Sequence, residues 1–224
     1  MPRKQRKPSE IAAVKKKILK NAVALMNTNG FEGFTMKGLA RMMGLTAPTI
    51  YSYYNNKDEL YLDVLTEGFR MLFNKMKRAC GSHNDSFGKL RSLIEAYMDF
   101  GLKKSNFYNL MFTWHVPKYN DYIGTPMEHT ARNELMTALK VTDFSLDIIK
   151  ECAGGEHHIT DEDARFYLLY VWSLLHGYIS GINNTLLDYM HETPLAIKNR
   201  TLDLMERTFR KELERYKPKQ KKAG

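Results

Sequence analysis

The sequence predicts an all-α fold, and three observations carry that prediction. Apolar residues recur at steps of three and four along nearly the whole chain, while alternating strand patterns are almost absent. Capping residues stand where the apolar stripes begin, and glycine or asparagine where several of them stop. Pro117, Pro126 and Pro194 fall between stripes, where a missing N–H interrupts no helix. At 224 residues, with 43% hydrophobic and 12% aromatic side chains, the chain is large enough for two helical units sharing a core.

Taken in order, Ser9 is a good N-cap for a first helix in which Ile11, Val14, Ile18, Ala22 and Leu25 form one stripe. Lys15, Lys16, Lys17 and Lys20 lie off that stripe, and Asn29-Gly30 ends it. Thr35 caps a short second helix carrying Leu39, Ala40 and Met43, stopped at Gly44. Thr46 caps a third that opens with Ala47 and Pro48, an early position that suits proline. Asn55-Asn56 turns the chain into a long fourth helix with Leu60, Leu62, Val64, Leu65, Phe69, Leu72 and Met76. The polar loop 81–86 reads as a boundary, and further helices are predicted over 87–103, 106–115, 127–152, 161–190 and 195–215. Residues 1–8 read as a flexible basic arm and 217–224 as a disordered basic tail.

The net charge of +9 is unevenly placed. Through Lys57 there are eleven Lys and Arg against only Glu10 and Glu32, so the first quarter holds the entire excess. Clustered cations attract polyanions because neutralised phosphates release counterions; a merely solvated basic arm is the other reading. The arm 2–7 either follows a nucleic-acid backbone or enters a minor groove, or else serves only solubility. The first residues lack an apolar h-region, and Cys80 and Cys152 form no ligand pattern, so a reduced cytoplasmic protein is expected.

Residues 166–187 carry no formal charge and are long enough to span a bilayer. His176, Asn183, Asn184, Thr185 and two serines make them too polar for that, so no membrane partner is expected. Ser173, Gly177, Ser180, Gly181 and Asn184 form a narrow face of small residues, read as a helix–helix seam either between two copies or within one chain.

Two short capped helices joined at a glycine inside the basic region have the form of a helix-turn-helix spanning about 34–53. Ile50 and Tyr54, with Leu45 just before, form an apolar back; Ala47, Pro48, Thr49, Tyr51, Ser52 and Tyr53 are left for the front. The ordered set Gly30-Phe31, Thr35, Leu39-Ala40, Gly44, Thr49-Ile50-Tyr51, Tyr53-Tyr54, Lys57 and Leu60 resembles the tetracycline-repressor (TetR) family of regulators. Trp172 followed by His176-Gly177 is similar to the W…HG signature of one class of TetR C-terminal domains. The resemblance implies a three-helix DNA-binding domain at 9–68, joined by the fourth helix to a ligand-binding and dimerisation bundle at 69–216.

The resemblance also implies roles. Thr35 would bond a phosphate, Lys37 would lie against double-stranded DNA, and Ala47, Pro48 and Thr49 would meet base edges or thymine methyls. Tyr51, Tyr53 and Lys57 would contact phosphates, with Ser52 on the same front. Hydroxyl donors and methyl groups suit those tasks, although no Arg, Gln or Asn stands on the third helix's front. A homodimer would space two such helices about 34–36 Å apart for a palindromic operator.

The other half is expected to receive a small-molecule effector through Phe107, Met111, Trp114, His115, Tyr170 and His176, or to use those side chains as plain core. The region 58–214 carries five more acidic than basic residues, which points to a neutral or cationic, aromatic-type effector. A repressor released by ligand is the first expectation; an activator or an effector-independent DNA-binding dimer is the alternative. An enzyme is more remote, because no Gly-rich phosphate loop, HExxH or GxSxG occurs. No cofactor or metal is expected, and Cys152 with His157 and His158 reads as an exposed loop rather than a zinc site.

Overall fold

The computed structural model describes residues 7–217, and among them every regular element is a helix. The elements are α1 (Pro8–Gly33), α2 (Met36–Met42), α3 (Ala47–Tyr51), α4 (Lys57–Cys80), α5 (Ser86–Lys103), α6 (Ser105–Tyr108), α7 (Glu128–Cys152), α8 (Asp161–Asn183) and α9 (Lys198–Leu213). Residues 1–6 of the predicted arm and 218–224 of the tail lie outside the described residues. Two compact units form, one from the described residues of Met1–Gly68 with Asn106–Thr137, the other from Phe69–Ser105 with the described residues of Ala138–Gly224. The division falls inside α4 and α7, and the loop 81–86 connects two helices of the second unit.

In the first unit, α1 opens at Pro8 rather than after Ser9, and the Glu10 carboxylate accepts the Lys7 N–H at 3.1 Å. Its buried side is Ile18, Ala22, Val23 and Met26; Ile11, expected in the stripe, is 39% exposed because the core begins a turn later. Gly30, at φ 72°, breaks the helix where the Asn-Gly signal predicted, and Phe31 and Phe34 then turn inward. Against these pack Leu39, Ala40, Ile50 and the α4 residues Leu60, Tyr61, Val64 and Leu65, all buried.

Residues 106–137 belong to this unit and approach α4 at Gly68. A Cβ there would lie 2.6 Å from the Met111 sulfur and 3.2 Å from Phe107, so a larger residue would have to displace those side chains. The helix predicted over 106–115 is instead α6 followed by a π-helical turn at Asn109–Thr113, with the Trp114 N–H reaching the Asn109 carbonyl at 2.9 Å. The Tyr61 hydroxyl donates to the Pro117 carbonyl, and the Tyr122 hydroxyl to Asp58 at 3.2 Å. Beside them Glu134 is buried, and desolvation pushes its carboxyl up to about 7 against the opposing attraction of Lys118.

In the second unit α5 packs on α8 and α9. The Trp172 indole N–H donates to the Tyr97 hydroxyl at 2.8 Å, and the Asn183 amide to the Gly101 carbonyl at 3.1 Å. Both cysteines are buried free thiols, bonded to the Lys89 and Ser86 carbonyls, and burial pushes them up to about 11 for Cys80 and about 12 for Cys152. Burial thus disfavours the thiolate form of both. The helix predicted over 161–190 stops at Asn183. Thr185 adopts φ 57°, its N–H and that of Leu186 close the end onto the Ile182 and Gly181 carbonyls, and a short 3₁₀ turn follows at Leu187–Tyr189.

Because the Glu134 carboxyl titrates higher folded than unfolded, its charge opposes folding once pH rises past the unfolded carboxyl range, and fully so above about 7. Glu134→Gln is therefore expected to raise unfolding stability by about 1–3 kcal/mol at pH 8, with the gain shrinking toward pH 5. Denaturant unfolding at the two pH values measures it.

Candidate nucleic-acid interface

The turn between α2 and α3 is built from backbone hydrogen bonds that only one conformation satisfies. The Leu45 N–H donates to the Ala40 carbonyl at 2.9 Å and the Gly44 N–H to the Arg41 carbonyl at 3.1 Å, with Gly44 at φ 66°. This pair closes the orphan carbonyls of α2 and requires the left-handed residue that glycine adopts without strain. Ala40, whose carbonyl accepts the Leu45 N–H, is itself buried. At the other end of α2, the Thr35 hydroxyl accepts the Gly38 N–H at 3.0 Å, which leaves its own O–H as a donor.

Only five residues long, α3 cannot hold a helix by propensity. Its back does that work: Ile50 is fully buried and Tyr54, just past its end, nearly so, with the Tyr54 hydroxyl donating to Asp63 at 2.7 Å. Leu45 differs from the expected back, being 37% exposed on the turn. Burial and the neighbouring Asp63 raise the Tyr54 pKa strongly, so the hydroxyl keeps its proton and its bond.

The front residues lie as follows. Tyr51 is 50% exposed, and Pro48 and Ser52 are exposed, while Ala47, Thr49 and Tyr53 are half-buried. Among the described residues the Tyr51 hydroxyl has no partner, so it is available as a donor. The Thr46 and Thr49 hydroxyls stand 2.9 Å apart in one hydrogen bond, and Ser52 donates to the Thr49 carbonyl at 2.7 Å. The Ser52 proton is thus spent on its own helix. Cations ring the patch: the Lys57 ammonium sits 4.0 Å from the centre of the Phe31 ring, and Lys15 lies 4.6 Å from that of Tyr54. Lys57, expected at a phosphate, is thereby seated on an aromatic face that fixes it beside the patch. Lys37 is exposed on α2, and Arg41, one turn on, is exposed too. Sequence reasoning assigned Arg41 nothing, although its i, i+4 spacing from Lys37 was there to be read.

The remaining candidates are divided between the units. Phe107, Met111, Trp114 and His115 belong to the first, Tyr170 and His176 to the second. Met111 is buried against Gly68 as core, Phe107 and Trp114 are half-buried, and His115 is exposed. His176 stacks on Trp172 with ring centres 4.9 Å apart and planes 16° off parallel, and desolvation lowers its pKa. Tyr170 lies in the open beside Phe166, their rings 6.5 Å apart. Of the small face on α8, Ser173, Gly177 and Asn184 are exposed and Ser180 is half-buried. Gly181 is buried under Leu187 of the same chain, where a Cβ would meet Leu187 Cγ at 2.7 Å. His157 and His158 are exposed, and no cluster fit for a metal occurs among the described residues.

Against known families, residues 18–64 match the profile described as bacterial regulatory proteins of the tetR family, and residues 90–204 that of the tetracyclin repressor-like C-terminal domain. The HTH-type transcriptional activator FasR of Mycolicibacterium smegmatis is 30% identical over 129 residues, covering 58% of this chain and 55% of that protein. IcaR of Staphylococcus epidermidis, a negative transcriptional regulator of the biofilm operon icaADBC, is 26% identical over 74 residues, 33% of this chain and 38% of its own. The chain thus spans about half, or less, of the length of these curated relatives. Among solved structures, the transcriptional regulator FadR from Bacillus subtilis, in complex with stearoyl-CoA, aligns with a TM-score of 0.63 at 14% identity, over 85% of this chain and 96% of that one.

Gly44→Ala is expected to destabilise the protein by about 1–2 kcal/mol. Nothing stands within 4 Å of the added carbon, so the cost is purely that of a left-handed alanine. Equilibrium unfolding of the variant measures this.

Proposed function

The chain belongs to the tetR family of bacterial regulatory proteins, and from that premise we propose that it binds a palindromic operator as a homodimer and is released by a small-molecule effector. The observation that carries the DNA-binding part is the two-sidedness of α3: Ile50 and Tyr54 are sunk in the core while Tyr51 stands half in solvent. Thr35 at the start of α2 and Tyr51 donate to phosphates, Ala47, Pro48 and Thr49 face base edges, and Lys37, Arg41 and Lys57 supply attraction. The half-buried Tyr53 contributes to the same surface. Ser52, its proton already donated, contributes only as an acceptor or by packing.

Dimer formation is supported by α8. Phe166, Leu169, Tyr170 and Leu174 are exposed at steps of three, one and four, with Ser173 and Gly177 on the same face. Large apolar side chains in one stripe, interleaved with small ones, suit a second copy that buries both. Tyr170 fits this face better than a ligand cavity, whereas Gly181 lies buried beneath Leu187 of the same chain. Phe107, Trp114 and His176 stay as candidates for effector contact. The FadR neighbour holds an acyl-CoA, which supports a small-molecule input in this fold. Such a ligand need only favour the state that cannot bind DNA by about 1–3 kcal/mol.

An activator is the second reading, favoured by the match to FasR, which is an activator. The sign of regulation depends on where the operator lies relative to the promoter, which the protein's own residues do not set. On this reading the protein would act in the cytoplasm as a regulator rather than as an enzyme.

Gel retardation with promoter fragments from the native locus tests this reading: retention that falls steeply with salt is expected, and a flat dependence would count against phosphate contacts. Tyr51→Phe is expected to weaken retention roughly tenfold, from the loss of one phosphate hydrogen bond in each subunit, without altering dimer mass in sedimentation.

A further inference from the structure

The second unit contains a cleft of about 320 Å³ between the second half of α4 and the end of α5. Its cationic lining is Lys75, Arg78, Lys103 and Lys104, over a floor that includes Met71 and the buried Phe100. One carboxylate, Asp99, lines it as well and is already shared. Lys75 approaches it at 3.8 Å and Lys103 at 2.8 Å, and Lys198 pairs with it from α9. Partial burial opposes ionisation of Asp99, but hydrogen bonds from Lys103 and Lys198 override it and hold the carboxyl down to about 2. Asp99 is therefore a fixed single charge answering three ammoniums. Glu95, one turn earlier on α5, adds an attraction for Lys103. Arg78 and Lys104 form no ion pair among the described residues. The Arg78 Nε–H donates to the Asn74 carbonyl at 3.2 Å, which steadies the guanidinium and leaves its terminal donors free. Lys77 extends the positive surface into a shallower depression shared with Asn74 and Arg78.

We propose that this cleft binds a small anion bearing adjacent phosphate groups, held by Arg78 and Lys104 with Lys75 and Lys103 completing the charge. Like charges gathered this closely repel one another, and a multiply charged anion relieves that repulsion at several side chains at once. Guanidinium and ammonium groups lining one cleft offer phosphate oxygens both a fork and point charges. A concave site of this size fits a small molecule; a nucleic-acid backbone needs a longer, open track. The excess of acidic residues over 58–214 suggested a neutral or cationic effector, but that is an average along the chain, and the fold gathers cations at one place. Lys75 and Arg78 stand on α4, the helix that begins at Lys57, so a ligand drawing them toward α5 acts on the element that carries the DNA-facing lysine. That regulatory consequence rests on the proposed function; the binding itself does not.

The test is calorimetric titration of the full chain with inorganic pyrophosphate, without DNA, so that its failure is separable from failure of gel retardation. Wild-type protein is expected to bind one pyrophosphate per chain. Arg78→Gln/Lys104→Gln, at two side chains that no ion pair ties down, is expected to weaken it roughly tenfold or more. Lys16→Gln/Lys17→Gln, in the exposed basic run of α1, is expected to leave it unchanged. Absence of binding at millimolar pyrophosphate would overturn the proposal, as would loss in the α1 variant but not in the cleft variant. If the cleft variant lost retention of promoter DNA while keeping pyrophosphate affinity, the patch would be a nucleic-acid contact and the proposal would fall.

Discussion

A helix of five residues cannot position itself, and the first unit is organised around that constraint. The pitch and depth of α3 are set by Ile50 in the core, by Tyr54 bonded through to Asp63 on α4, and by the left-handed turn at Gly44. Each anchor ties it to a different element. The long α4 is in turn fixed to the segment 106–137 by the gap at Gly68 and by the Tyr61 and Tyr122 hydroxyls. Moving α4 therefore moves Asp63, and with it the hold on Tyr54.

This arrangement explains why the least charged stretch of a basic region can be the part that meets DNA. On the proposed reading, the lysines of α1, α2 and the start of α4 attract from a distance, while the Tyr51 hydroxyl and the Ala47 and Thr49 methyl groups make the close contacts. With no Arg, Gln or Asn on that front, the proposed reading has choice of sequence lean on DNA shape and deformability as much as on base edges.

Much of this was legible in the sequence because it is encoded locally. The Thr35 cap, the stops at Gly30 and Gly44, and the burial of Ile50 and Tyr54 each depend on a few consecutive residues, and each lies where the pattern put it. What was not legible depends on partners distant in sequence. The run 106–115 has helical periodicity, but Met111 and Phe107 pack against Gly68 and the backbone widens into a π turn. Residues 184–190 lack a breaker, yet Thr185 takes the left-handed cap and Leu187 folds back over Gly181. Ile11 and Leu45 sit in correct stripes whose ends overrun the core. The cationic cleft draws its walls from residues about thirty positions apart, with Lys198 joining from a third helix, so no local pattern announces it.

The most direct test of the account is methyl NMR of the protein during titration with a promoter duplex that it retards. The account predicts that the Ala47 and Thr49 methyl signals shift on binding while that of Ile50, on the buried side of the same helix, stays in place. Shifts at Ile50 with none at Ala47 and Thr49, or perturbation confined to other parts of the chain, would contradict the assignment of α3 as the DNA-facing element.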